Sequence, residues 1–184
     1  MKSSVLMAVV SLWLASCAST VSRLPSLSSD DAAPYILGAG DTLQIVVFGD
    51  TDLSGSYRVS DSGAIAMPLV GSVPAAGLSI ERFQQGLIQR LKINVLKAPD
   101  LTVSVSAYRP FFILGEVKAP GSYPYVPNMT VLTAVAIAGG FTYRASEDEV
   151  SVTRQKQGQA REWHAARDSR VLPGDVVYVF ERHL

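Results

Sequence analysis

Few residues in this chain have side chains that commonly do covalent or metal chemistry. Its 184 residues include one cysteine, Cys17, and two histidines, His164 and His183. A lone cysteine closes no intramolecular disulfide, and one cysteine with two histidines does not assemble a Cys/His zinc centre. His164 follows Trp163 and reads as a strand or surface histidine. The carboxylates Asp41, Asp61 and Asp175 each stand beside or near a glycine in a turn. Acid–base cleavage of a glycosidic bond needs two carboxyl groups roughly 5–9 Å apart, and nothing in the spacing of these three places any pair so. Tyr57, Tyr108, Tyr123, Tyr125, Tyr143 and Trp163 could stack on sugar faces, but aromatics on strands more often pack in cores or between subunits. The expectation is therefore a protein that is not an enzyme, with no catalytic residue, no cofactor and no metal site.

Composition narrows the partners. The chain is 48% hydrophobic and 17% charged, which rules out a disordered tail and suits one ordinary domain or two small ones. Sixteen Lys plus Arg balance sixteen Asp plus Glu. Without a basic field there is no drive towards nucleic acid.

The one reactive thiol is accounted for by the leader. Lys2 supplies a positive n-region and residues 5–14 a short apolar h-region, the layout of an export signal rather than of a span of roughly 20 apolar residues. Leu14-Ala15-Ser16-Cys17 resembles the lipobox of bacterial lipoproteins, which implies cleavage before Cys17 and lipidation of its sulfur. Ala18 follows where an Asp would favour inner-membrane retention in enteric bacteria, so the resemblance points to the outer membrane. Residues 1–16 are then a signal peptide. The Ser-rich stretch 17–33, with Pro25 and no apolar periodicity, is a lipidated tether.

Two small α+β units are expected behind it, at 34–107 and 108–184. In the first, residues 43–48 are apolar or β-branched at nearly every position and read as a strand covered on both faces. Residues 57–60 and 64–67 flank Asp61-Ser62-Gly63 as a β-hairpin. Ser79 caps an amphipathic helix from Ile80 to Leu96, and residues 101–106 alternate as a half-exposed strand. In the second unit, residues 111–117 form a strand and Pro120-Gly121 the centre of a type II turn. Thr130 caps a short helix, apolar almost all round and hence buried, that ends at Gly139-Gly140. Residues 149–153 form a strand, residues 155–162 an exposed loop, and residues 176–180 the closing strand. Gly40-Asp41 and Gly174-Asp175 both lead into strands; the echo is too short to prove a repeat.

These segments, in this order, resemble the outer-membrane polysaccharide export family of Wza-like and GumB-like lipoproteins. The first part of the resemblance lies in residues 35–43, 53–59, 65–71 and 76–79. The second lies in Leu114-Gly115-Glu116-Val117, Pro120-Gly121-Ser122-Tyr123, residues 136–142 and Pro173-Gly174-Asp175, and is similar to the soluble-ligand-binding β-grasp (SLBB) domain of that family. The resemblance implies a polysaccharide cargo and a closed, octamer-like homo-oligomeric ring. It also implies an inner-membrane polysaccharide co-polymerase, often a tyrosine autokinase, as partner. Only four residues follow the last strand, fewer than a membrane-spanning helix needs. The expectation is a short periplasmic form, without the C-terminal pore helix, that works with a separate outer-membrane β-barrel or a ring-induced opening. A different class of function, a monomeric lipoprotein binding a glycan or soluble ligand, uses the same surfaces and stays open.

Overall fold

The computed structural model describes residues 24–27, 34–94, 96–156 and 158–182. The expected signal peptide at residues 1–16, Cys17 and His183 lie outside the described residues. The fold is α+β, with two hydrophobic clusters that the chain leaves and enters between Ala107 and Phe111.

Around the first cluster, β1 (Thr42–Val47) is the centre of an antiparallel sheet, flanked by β2 (Asp50–Arg58) and β5 (Leu101–Ala107). Leu43, Ile45 and Val47 pair in register with Val105, Val103 and Leu101 and point inward. Gln44 and Val46 point out opposite Ser104 and Thr102. The strand is thus covered on one face only, contrary to the two-sided burial that its apolar run suggested; Val46 is 49% exposed. An apolar run does not say how many layers will cover it.

The loop at Asp61-Ser62-Gly63 forms, with the Gly63 amide donating to the Ser60 carbonyl at 2.8 Å and φ of 80° at Gly63. The strands beside it do not pair with each other. Strand β2 returns on β1, while β3 (Ala64–Met67) pairs with β4 (Gly71–Pro74) across Leu69, itself held at φ 62°. A glycine-bearing turn specifies a reversal but not the ladder that follows. Helix α1 (Ile80–Asn94) starts where Ser79 Oγ accepts from the Arg82 amide at 3.3 Å. It buries Phe83, Leu87 and Leu91 completely, each worth about 1.5–3 kcal/mol of transfer free energy.

The second sheet has the order β7-β6-β10-β8-β9. Its strands are β6 (Phe111–Gly115), β7 (Gly121–Tyr123), β8 (Ala145–Lys156), β9 (Gln159–Ala165) and β10 (Val176–Glu181). Pairing is antiparallel except between β6 and β10. Helix α2 (Val131–Ile137) packs on one face through Val131, Ala134 and Val135, its N-cap Thr130 accepting from the Thr133 amide. The helix is half-buried rather than enclosed, with Leu132 50% exposed.

Two further expectations are corrected. Gly121 does not take a left-handed conformation; it pairs with Ile113 as the first residue of β7, and the positive φ near this turn, 85°, belongs to Gly115. Residues 159–162 are not loop but the start of β9, paired back on β8 up to Lys156↔Gln159. Of the stretch 17–33, expected to be a tether, residues 24–27 are described. Within it, the Leu27 amide donates to the His164 carbonyl at 2.8 Å and the His164 amide to the Pro25 carbonyl at 3.0 Å. Residues 24–27 thereby lie along the free edge of β9, with Leu27 against the second core.

Candidate functional site

The sequence between the clusters is Tyr108-Arg109-Pro110. Its short length forces β5 and β6 close together, and Arg109 turns back into the first unit. The Arg109 amide donates to Asp41 Oδ1 at 2.9 Å, and Nη1 donates to Asp41 Oδ2 at 3.0 Å and to Tyr35 Oη at 2.8 Å. Tyr35 Oη donates to the same Oδ2 at 2.6 Å, and the Gly38 amide does so at 2.8 Å. Asp41 has no exposed surface, yet every donor it needs is supplied. Burial, reinforced by the hydrogen bond to Asp41, pushes the Tyr35 phenol far above its ordinary range, so Tyr35 remains a donor at any physiological pH. Tyr108 completes the junction with edge-on contacts to Tyr35 at 5.1 Å and Tyr125 at 5.3 Å, one ring from each side.

The second Gly-Asp turn repeats the local geometry. Leu172 N–H donates to Asp175 Oδ2 at 2.7 Å and the Asp175 amide to the Leu172 carbonyl at 3.1 Å. In the first turn the Asp41 amide donates to the Gly38 carbonyl at 3.2 Å. Arg154 grips Asp175 with Nε at 3.0 Å to Oδ1 and Nη2 at 2.8 Å to Oδ2. Burial still raises the Asp175 carboxyl above its usual range, against the pull of Arg154 and the Leu172 amide. The linker touches this turn too: the Gly174 amide donates to the Pro110 carbonyl at 3.0 Å. A Cβ at Gly174 would come within 2.8 Å of Arg109 Nε. Arg109 is therefore wedged between two Gly-Asp turns.

Asp41 and Asp175 are thus turn locks, each committed to an arginine, and Asp61 sits apart on an exposed loop. Among the described residues no group of three or more His, Cys, Asp or Glu side chains could hold a metal ion. The aromatics divide. Tyr57 donates to the Leu53 carbonyl and Tyr123 to the Ala119 carbonyl, while Tyr123 stacks on Phe111. Tyr125 packs against the second cluster and Trp163 is half-buried. Tyr143 is 82% exposed. Sequence reasoning passed over Arg109, Arg154, Ser151 and Tyr178. The arginine partners lie 68 and 21 residues from their aspartates, beyond any local spacing signal.

Two faces project from this frame. On the first sheet, Gln44, Ser56, Thr102 and Ser104 share the outer side of β2-β1-β5. On the second, the side opposite α2 presents Phe112, Leu114 and Tyr178, all 41–45% exposed, with Phe180 edge-on to Tyr178 at 4.7 Å. No helix among the described residues is long and apolar enough to cross a membrane.

Residues 29–106 match the model of the polysaccharide biosynthesis/export protein family, and residues 110–164 match the SLBB domain. The chain belongs to the polysaccharide export family. It is 32% identical over 144 residues to the exopolysaccharide production protein ExoF of Rhizobium meliloti (strain 1021), a match covering 69% of this chain and 34% of that protein. It is 33% identical over 151 residues to the EPS I polysaccharide export outer membrane protein EpsA of Ralstonia solanacearum, covering 67% of this chain and 40% of the relative. The polysialic acid transport protein KpsD of Escherichia coli matches at 29% over 108 residues, covering 58% and 19%. The export-family chain described here spans less than half the length of these relatives.

Proposed function

We propose that this chain is an outer-membrane-anchored lipoprotein that helps conduct capsular or exopolysaccharide towards the cell exterior without chemical change to the polymer. The observation that carries the reading is the tandem match of an export domain and an SLBB domain on two cores joined by a buried ion-paired junction. In this reading Cys17 is acylated, residues 1–16 are removed, residues 34–107 and 108–184 are the two domains, and the folded body stands on the periplasmic face. Copies of the chain close into a ring, since a heterologous contact that closes produces a lumen. A lumen suited to passage needs weak, repeated contacts rather than one tight site. An inner-membrane co-polymerase feeds the ring, and a separate outer-membrane barrel completes the path.

Deletion of the gene tests the function: secreted polymer is lost and polymer accumulates in the periplasm. Continued secretion at the parental level rejects it. The mass of the detergent-extracted protein tests the assembly, many copies supporting the ring and a stable monomer at high concentration supporting a ligand-binding accessory lipoprotein. Palmitate incorporation that persists in Cys17→Ala rejects the anchor.

A further inference from the structure

The outer face of the second sheet holds an irregularity that its packing does not account for. Ser151 on β8 is completely buried, and its hydroxyl is the one buried side-chain polar atom among the described residues without a hydrogen-bond partner. A buried hydroxyl that has given up water without gaining a partner is destabilising. The register says what surrounds it. Ser151 pairs with Tyr178 of β10 on one side and His164 of β9 on the other, and Tyr178 pairs in turn with Leu114 of β6. Paired residues share a face, so Leu114, Tyr178, Ser151 and His164 form one row, with a small hydroxyl residue set between two rings. The adjoining row carries Phe112, Val176, Thr153 and Glu162.

We propose that this face is a carbohydrate-binding platform on which a neutral pyranose ring lies against Tyr178 and pairs one of its hydroxyls with Ser151 Oγ. The inference rests on the export reading and gives the cargo a place to touch. Three features select this occupant. A pyranose has an apolar C–H face and a rim of hydroxyls, and the row alternates an aromatic ring, a hydroxyl and an imidazole to match. Ser151 lies in the row between Tyr178 and His164 with no exposed surface of its own, so its hydroxyl is reached by a small group such as a single hydroxyl, and only once a flanking ring moves, rather than by the broad side chains of a protein partner. The charge also selects: Phe112, Leu114, Tyr178, Ser151 and Thr153 are neutral, and of the two ionisable groups paired into these rows on β8 and β9, His164 and Glu162, the one that is charged without taking up a proton is a carboxylate. An anionic glycan is thereby disfavoured. Binding therefore includes rotation of the Tyr178 ring away from Phe180 or of the His164 ring away from the Asp148 carbonyl, which lies 3.3 Å from its Nε2, a fast motion for side chains that are partly exposed.

The test is a titration of the full acylated chain in detergent with a short neutral dextran oligosaccharide, read by saturation-transfer NMR and calorimetry, with a sulfated dextran of equal length as comparator. Tyr178→Ala is expected to weaken dextran binding about tenfold. Ser151→Ala weakens it about threefold or more, while its thermal midpoint stays level or rises because an unpaired hydroxyl has been removed. Phe48→Ala, in the exposed turn between β1 and β2, leaves affinity unchanged. The proposal is overturned if Tyr178→Ala and Ser151→Ala bind dextran like the parent, if sulfated dextran binds as tightly, or if footprinting finds the face already covered by a second copy without sugar. Complementation of the deletion strain separates the two readings. Normal export by a Tyr178→Ala protein that no longer binds dextran overturns this platform and leaves the export function standing, whereas unchanged secretion on deletion overturns the export function itself.

Discussion

Asp175 and Asp41 carry the same local task under different electrostatic conditions, and Asp175 yields a signed pH prediction. Its folded carboxyl titrates above the unfolded value of 3.8 because burial outweighs the Arg154 pair. In the window from 3.8 up to that raised value the folded state holds more proton than the unfolded state. Stability contributed at this site therefore falls as pH rises through the window and is recovered in acid. Urea unfolding of the parent and of Asp175→Asn should show the parent's relative stability larger near pH ~4 than near pH ~7; a difference that grows with rising pH would contradict the assignment. What the sequence disclosed here was the turn: glycine followed by aspartate before a strand. It did not disclose that either aspartate is buried or which arginine pairs with it, because those partners meet only through the folded chain.

At the scale of elements, Gly115 is the tightest backbone position. It ends β6 with φ of 85°, and a Cβ there would run into the Val179 backbone of β10, whose carbonyl carbon would be 3.0 Å away. Gly115→Ala should destabilise the protein by about 3 kcal/mol, measured by chemical denaturation, with loss of protection at the β10 amides. A cost near zero would mean the parallel β6–β10 pairing is looser than described. Thr130→Ala should cost about 1 kcal/mol by removing the cap of α2. Alternation identified β5, and cap plus apolar spacing identified both helices, because these signals are local. Strand partners were another matter. The turn at Asp61-Ser62-Gly63 was legible, yet β2 and β3 went to different sheets, since pairing depends on which distant strand completes a core.

For the whole molecule, the decisive feature is the junction at Arg109, which pairs with Asp41 of the first unit and lies against Gly174 of the second. Arg109→Ala leaves Asp41 buried without its cation, and the expected loss is about 3 kcal/mol. Calorimetry should then resolve two transitions where the parent has one, and Arg109→Lys should restore only part of the coupling because it lacks the guanidinium fork. A single unshifted transition would rule out the junction as the coupling element. Leu27→Asp should release residues 24–27 from the β9 edge and speed exchange of the His164 amide, whose acceptor is the Pro25 carbonyl. The sequence alone determined the α+β class, the caps and apolar spacing of both helices, and a resemblance to an export family carried by ordered turn motifs. Those properties are written in near neighbours, where periodicity, caps and glycines act. The tertiary structure decided that residues 24–27 pair with the edge of β9, that one arginine wedges between both Gly-Asp turns, and that Tyr178, Ser151 and His164 share a row. Each depends on residues brought together from distant parts of the chain, and register and burial, not composition, set which groups meet.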